Sequence, residues 1–306
     1  MMLTPNIVDS HPTPEKFRVH PVENIPPLTK SYARVAAGML RSKRSQVISL
    51  PDTRWETTAR ISRELVDSYN ALMGASGLVG QNSAPSVAVH ITAFGLSTAM
   101  MADRRFPLPL QGMVHLQHKV WHMSDVPIDQ PVRISTWAQN LSPHHAGTSV
   151  EVWAQVNDPT TDKLLWQSMA LYLSKSVILP GSPRPERPER PNFQPPVITG
   201  QWELSKDIGR RYGAVSGDRN PIHLSNLSAK ALGMPGAIAH GMYAAGRMLA
   251  GRETLAPYTW AIEFASPMRL PSRVALHYDQ QGDRLLVAGW NAKREKLHFL
   301  GEIQQH

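Results

Sequence analysis

Not one cysteine occurs in this chain of 306 residues. Disulfide scaffolds, thiolate nucleophiles and Cys-ligated zinc or iron–sulfur centres are thereby excluded. The absence also fits a cytoplasmic protein. The N-terminus, MMLTPNIVDSHP, lacks a basic stretch followed by an apolar core, so no secretory signal is expected. No apolar run reaches comfortably across a membrane. The nearest, residues 85–102, has no Lys, Arg, Asp or Glu, but it opens at a proline and carries His90, Thr92, Ser97 and Thr98. It sits at the lower limit for a span, and a buried core helix preceded by a short strand is the better reading. Aromatic residues make up only 7%. The one dense basic cluster, LRSKR at 40–44, has no stacking aromatics interleaved with it and reads as a solvated segment. Neither nucleic acid nor membrane is therefore an expected partner.

What is present is ample material for a core: 42% hydrophobic and 18% charged residues, over a length that suggests about two domains. The charge sum, 32 − 24 = +8, favours an anionic partner without choosing one. Residues 1–50 are proline-punctuated, with one helix expected over 31–40. A strand and short helix begin near 55–62. Four strand-like runs follow at 114–123, 132–140, 148–156 and 164–175. They are rich in Val, Ile, Trp, Thr and Tyr and are separated by turn residues such as Ser142-Pro143 and Asp162. Antiparallel strands after one apolar helix argue for α+β. The segment PGSPRPERPERPNFQPP is a linker by composition. The chain therefore divides into an extension (1–50), a first unit (51–179), a linker (180–197) and a second unit (198–306).

The second unit repeats the order of the first: strand and helix at 201–215, an apolar helix over 235–252, then strands near 260–264, 273–278, 285–290 and 297–303. At an offset of 143, Ser62-Arg63-Glu64-Leu65 aligns with Ser205-Lys206-Asp207-Ile208, and Tyr69 aligns with Tyr212. At an offset of 146, Ala93-Phe94-Gly95-Leu96 aligns with Ala239-His240-Gly241-Met242.

The chemistry concentrates in YGAVSGDRNPIHLSNLSA, residues 212–229. Ser216-Gly217 ends a helix, and Pro221 sets a turn that carries Asp218, Asn220 and His223. Such a turn can aim an acid and an imidazole at one small volume, as general acid–base chemistry requires. The alternative is a surface turn in which Asp218 binds its own backbone and His223 is solvated.

This stretch resembles the signature of the MaoC-like dehydratase family, which includes the R-specific (type 2) enoyl-CoA hydratases. The matching residues are Tyr212, Val215, Ser216-Gly217-Asp218, Asn220-Pro221-Ile222-His223 and Ala229, with Ile238–Met242 resembling the entry to the family's central helix. The resemblance implies a double hotdog, each unit an antiparallel sheet wrapped around a central apolar helix. It implies reversible addition of water to a trans-2-enoyl thioester, giving the (3R)-3-hydroxyacyl form, with the acyl group carried on CoA or acyl carrier protein. Asp218 and His223 are the implied catalytic pair, and Asn220 and Ser216 orient them. The backbone of Ala239, His240 and Gly241 would receive the thioester oxygen. No cofactor and no metal are implied, and the resemblance leaves room for a homodimer.

At an offset of 143, Asp218, Asn220 and His223 correspond to Ala75, Gly77 and Gly80, so the first unit is expected to be catalytically silent. Its helix, residues 91–102, either lines an acyl tunnel or is simply core. His115, His118 and His122 invite a metal reading, but on a strand His115 would point away from the other two. His144-His145 reads as a solvated turn, and Glu263 as an outward polar position. A hotdog thioesterase and a non-catalytic acyl-thioester binding module are the competing functions.

Overall fold

The computed structural model describes residues 16–32, 48–74, 82–189 and 192–306. The basic cluster at 40–44, most of the helix expected over 31–40, and Ala75, Gly77 and Gly80 lie outside these residues. The described part begins with strands β1 (Arg18–Pro21) and β2 (Thr53–Arg60), followed by helices α1 (Arg63–Met73) and α2 (Ser86–Met101). Strands β3 (Val114–His122), β4 (Pro131–His144), β5 (Gly147–Asn157) and β6 (Leu164–Ser174) complete the first half. The second half has β7 (Gly200–Leu204), helices α3 (Ile208–Ser216), α4 (Pro221–Leu224), α5 (Asn226–Ala231) and α6 (Gly241–Leu249), and then β8 (Tyr258–Phe264), β9 (Ser272–Gln281), β10 (Arg284–Asn291) and β11 (Lys296–Gln305). Between Ser174 and Gly200 the described residues form neither helix nor strand.

One sheet gathers all these strands in the order β1-β2-β4-β5-β6-β3-β8-β11-β10-β9-β7. Apart from β1, the order reads the same outward from its centre: β3 matches β8, β6 matches β11, β5 matches β10, β4 matches β9 and β2 matches β7. The centre is the antiparallel pair β3–β8, in register from Gln117 opposite Glu263 to His122 opposite Tyr258. Each half curls around its own helix, so the architecture is a double hotdog of the α+β class. Helix α2 packs against β4 and β5, α6 packs against β11, and the two helices touch each other.

Local chemistry explains where the helices start and stop. Ser62 caps α1 by accepting from the Leu65 amide, and Gly74 ends it in the left-handed region at φ 69°. Gly217 ends α3 in the same way at φ 75°. In α2 every residue except Thr92 and Phe94 is buried. At 16 residues it is about 24 Å long. No helix among the described residues is long and apolar enough to cross a membrane.

Several expectations change. The helix expected over 235–252 is confined to Gly241–Leu249. Ahead of it the chain is held extended: the Ile238 amide bonds the Ile222 carbonyl, the Ala239 amide bonds Met268, and the Ala237 carbonyl receives the Leu270 amide. These pairings remove the groups a helix would need. Consequently Gly241 is the first residue of α6 whereas Gly95 lies well inside α2, and the aligned blocks 93–96 and 239–242 occupy different helical positions. Ser142-Pro143, expected as a turn, lies within β4, which continues to His144 past an irregularity between Gln139 and Ser142. A bulge between His115 and Gln117 likewise shifts the register of β3 and brings His115 to the same inner face as His118, with ring centroids 5.3 Å apart. Glu263 is exposed, as an outward polar position should be.

The first-half core thus contains four histidines. Burial holds His90 down to about 3, His115 to about 4 and His122 to about 4, and His118 well below its ordinary value. An unfolded chain takes up these protons near pH 6.5 while the native one does not. Each imidazole therefore removes about 1 kcal/mol of stability per pH unit as the pH falls from 6.5 towards 4. Buried Glu253, pushed up to about 7, acts in the opposite sense between pH 7 and 4.5, but it is one group against four. Urea unfolding is expected to show a clearly lower midpoint at pH 5 than at pH 7.5, with net proton uptake on unfolding.

Candidate active site

Helix α3 supplies the platform. Gly209 and Gly213, four residues apart, share one face of it. A Cβ at Gly209 would collide with the His223 carbonyl, and one at Gly213 would stand 2.8 Å from the Asp218 carbonyl oxygen. Without side chains at these two positions, the 217–224 segment lies directly on the helix backbone.

Hydrogen bonds then fix the segment. The Ser216 hydroxyl donates to the Tyr212 carbonyl at 2.9 Å and accepts from the Asp218 amide at 3.2 Å. Oδ1 of Asp218 accepts from the Asn220 amide at 3.1 Å. The Asn220 side chain caps α4 through the Ile222 amide, with Pro221 in the first turn. His223, on this short helix, donates from Nδ1 to the Ile238 carbonyl at 2.8 Å. That bond selects the tautomer and leaves Nε2 with a free lone pair. His240 donates from Nε2 to the Asp218 carbonyl at 3.0 Å, and the same nitrogen stands 3.8 Å from Asp218 Oδ2. The His223 and His240 rings stack at 3.6 Å.

Burial lowers the pKa of His223, opposed in part by the negative charge of Asp218. Burial also lowers His240, reinforced by His223. Both rings are neutral at neutral pH. Around the carboxylate, burial and then its charge raise the phenols of Tyr32, Tyr172 and Tyr212.

Helix α6 starts beside this group, with no side-chain cap. The Gly241 and Met242 amides have no acceptor among the described residues, as expected for the first turn of an uncapped helix. The Ala239 amide, a sequence candidate for the same task, is engaged by the Met268 carbonyl at 2.9 Å. At Gly241 a Cβ would stand 2.9 Å from the Phe264 ring, so the close approach there is made by that ring. Phe264 meets His115 at 5.0 Å, and His115 stacks on Tyr172 at 4.6 Å. The first half therefore builds one wall of the site.

Asp218, His223, Asn220, Ser216 and His240 converge in this way, and Gly241 opens the neighbouring helix. Asp218, His223 and His240 also offer ligand atoms within 4.8 Å of one another, the one group of three such residues found among the described residues. His223 Nδ1 and His240 Nε2 are already bound to carbonyls, so the free donors are His223 Nε2, His240 Nδ1 and the carboxylate. Tyr32, Tyr172, His115 and Phe264 were not legible in the sequence as site residues. The Gly209/Gly213 spacing was a readable sign of close packing that the motif overshadowed.

The start of the first-half helix α2 looks different. The Ser86 amide donates to Glu253 Oε1 at 2.7 Å, and the Tyr258 hydroxyl donates to the same oxygen at 2.9 Å. Trp166 and Trp260 both donate to the Ser86 hydroxyl, at 2.9 and 2.8 Å. A carboxylate from the chain itself occupies this helix start.

Residues 187–294 match the family model described as "MaoC like domain". This segment is a MaoC-like domain. The chain is also similar to 3-hydroxyacyl-thioester dehydratase X of Mycobacterium tuberculosis, with 28% identity over 267 residues, covering 86% of this chain and 90% of that protein. In three dimensions it resembles HtdX of the same organism (TM-score 0.70, 22% identity, covering 82% of this chain and 100% of that one). It also resembles a MaoC-like dehydratase of Phytophthora capsici (TM-score 0.65, 15% identity, covering 85% and 97%). The Asp218–His223 turn and the start of α6 both lie within the MaoC-like domain, whereas Tyr32, His115 and Tyr172 lie outside it.

The glycine face of α3 makes a test of sign. On a free helix surface Gly→Ala stabilises by about 1 kcal/mol. Here Gly209→Ala and Gly213→Ala should each destabilise, by about 1–3 kcal/mol, because the new methyl group meets backbone. Gly209→Ala should be the worse, as read from urea unfolding.

Proposed function

We propose that the chain interconverts (3R)-3-hydroxyacyl and trans-2-enoyl thioesters by removing or adding water, with Asp218 and His223 as the acid–base pair. The observation that carries this reading is the meeting of three groups: a carboxylate, an imidazole with a bare Nε2, and two open amides at a helix start. The kinship with a 3-hydroxyacyl-thioester dehydratase supports it. The substrate is an acyl thioester on CoA or acyl carrier protein, and the +8 charge suits either anionic carrier.

In the hydration direction, water sits between Asp218 and His223 Nε2. His223 takes a proton as the water oxygen attacks C3, and Asp218 orients the water and relays the proton. The electron pair of the double bond moves towards the thioester oxygen, which gains negative charge. The amides of Gly241 and Met242, aided by the helix dipole, stabilise it there. Return of the proton to C2 completes the addition, and dehydration runs the same steps in reverse.

One such site per chain belongs to this proposal. The second unit, residues 198–306, carries it, and the first, residues 51–179, is silent. Glu253 at the Ser86 amide supports the asymmetry, because a resident carboxylate stands where a developing oxyanion would have to go.

Asp218→Asn and His223→Ala, if folded, should each lower kcat for enoyl-CoA hydration by about 10²–10⁴-fold. Chiral analysis should give the 3R product. Near-wild-type rates or an S product would overturn the assignment, and release of free thiol with the double bond intact would favour a thioesterase. The pH profile has a definite sign. Burial favours the neutral, basic form of His223, so the rate should hold as pH falls through 6.5 and drop only at lower pH.

A further inference from the structure

The N-terminal segment 16–32 precedes both units and lies outside the MaoC-like domain, yet it ends on the catalytic carboxylate. Its path is fixed at several points. Phe17 packs on Trp137 at 6.2 Å, and β1 adds in parallel to the edge strand β2. The Val22 amide bonds the Glu56 carbonyl at 2.8 Å. Ile25 then lies against Gly95 of α2, closely enough that a Cβ there would stand 2.6 Å from its methyl group. Leu28 is buried, 3.5 Å from where a Cβ of Gly217 would stand. One turn later the Tyr32 hydroxyl donates to Asp218 Oδ1 at 3.0 Å.

Oδ1 of Asp218 thus receives two donors, the Asn220 amide and the Tyr32 hydroxyl, while Oδ2 stands 3.8 Å from His240 Nε2. Asn220 is two residues away and moves with the loop. Tyr32 is the donor that comes from elsewhere in the chain and can resist rotation of the carboxylate. We propose that Tyr32 is a positioning residue for catalysis: its hydrogen bond locks the Asp218 carboxylate in one orientation. This role rests on the hydratase reading above. The other titratable groups facing the carboxylate are Tyr172 from β6, Tyr212 from α3, His223 from α4 and His240 ahead of α6. Among the described residues, Oδ1 is bonded by the Tyr32 hydroxyl and the Asn220 amide and by none of these side chains. Burial and the charge of Asp218 keep the Tyr32 phenol protonated, so it remains a donor across the working range.

The test is Tyr32→Phe, which keeps the ring and removes only the hydroxyl. The expected result is a loss in kcat of about tenfold or more with KM changed by less than about twofold, since a hydrogen bond to a charged group is removed. Leu28→Ala in the same segment is the control for a merely structural role. It should lower stability and leave kcat within about twofold of the wild type at a temperature where it is folded. A second readout does not depend on turnover: carboxyl carbon NMR of ¹³C-labelled aspartate, with Asp218 assigned through Asp218→Asn. At one fixed pH the Asp218 carboxyl resonance should move in Tyr32→Phe, which removes the hydrogen bond, and stay in place in Leu28→Ala. An unmoved Asp218 resonance in Tyr32→Phe would overturn the role of Tyr32, whatever the activity. A wild type inactive on every enoyl thioester would overturn the hydratase reading instead.

Discussion

The antiparallel pairing of β3 with β8 is the interaction on which the rest depends. Six consecutive residues of each strand face one another, and through them two sheets become one. The same pairing brings His115 of β3 to Phe264 of β8, and Phe264 lies over Gly241. Tyr172, next to β3 on β6, follows into the wall around Asp218. The first half thereby closes one side of the turn that carries Asp218 and His223. The site is therefore a property of the joined sheet and not of the MaoC-like domain alone.

Within that frame the two halves differ at the starts of their central helices. Both present the start of a central helix to the interior. At α6 the first amides are open, beside a carboxylate and two neutral imidazoles. At α2 the Ser86 amide is closed by Glu253, and the surrounding volume is filled by Tyr258, Trp166 and Trp260. Burial pushes the Glu253 carboxyl up to about 7, and the bonds from the Ser86 amide and the Tyr258 hydroxyl offset only part of that desolvation. The group that would compete with an incoming anion in the first half thus also satisfies that half's backbone.

What the sequence made legible was local. The strands of both halves follow from β-branched and aromatic runs broken by turn residues. The 216–223 turn follows from a Ser-Gly-Asp-x-Asn-Pro-x-His spacing whose hydrogen bonds close within a few residues. Features that depend on distant partners were not legible. The start of α6 was misplaced because 235–240 is apolar enough to read as helix, while its carbonyls and amides are engaged by residues 222, 268 and 270. The inward turn of His115 depends on one extra residue in β3, which alternation cannot reveal. Tyr32 stands 186 positions from Asp218, and nothing in its own neighbourhood marks it. The alignment of 93–96 with 239–242 paired residues that do not occupy matching helical positions.

A sheet of this width still has two ends. At one lies β1, four residues long, with Arg18, His20 and Pro21 along it, and at the other lies β7, five residues long. Short, charged or proline-bearing borders give an incoming strand little to pair with. Growth of the assembly by adding strand to strand is thereby discouraged at both margins. Among the described residues the continuous ladder of hydrogen bonds thus runs from one short margin to the other.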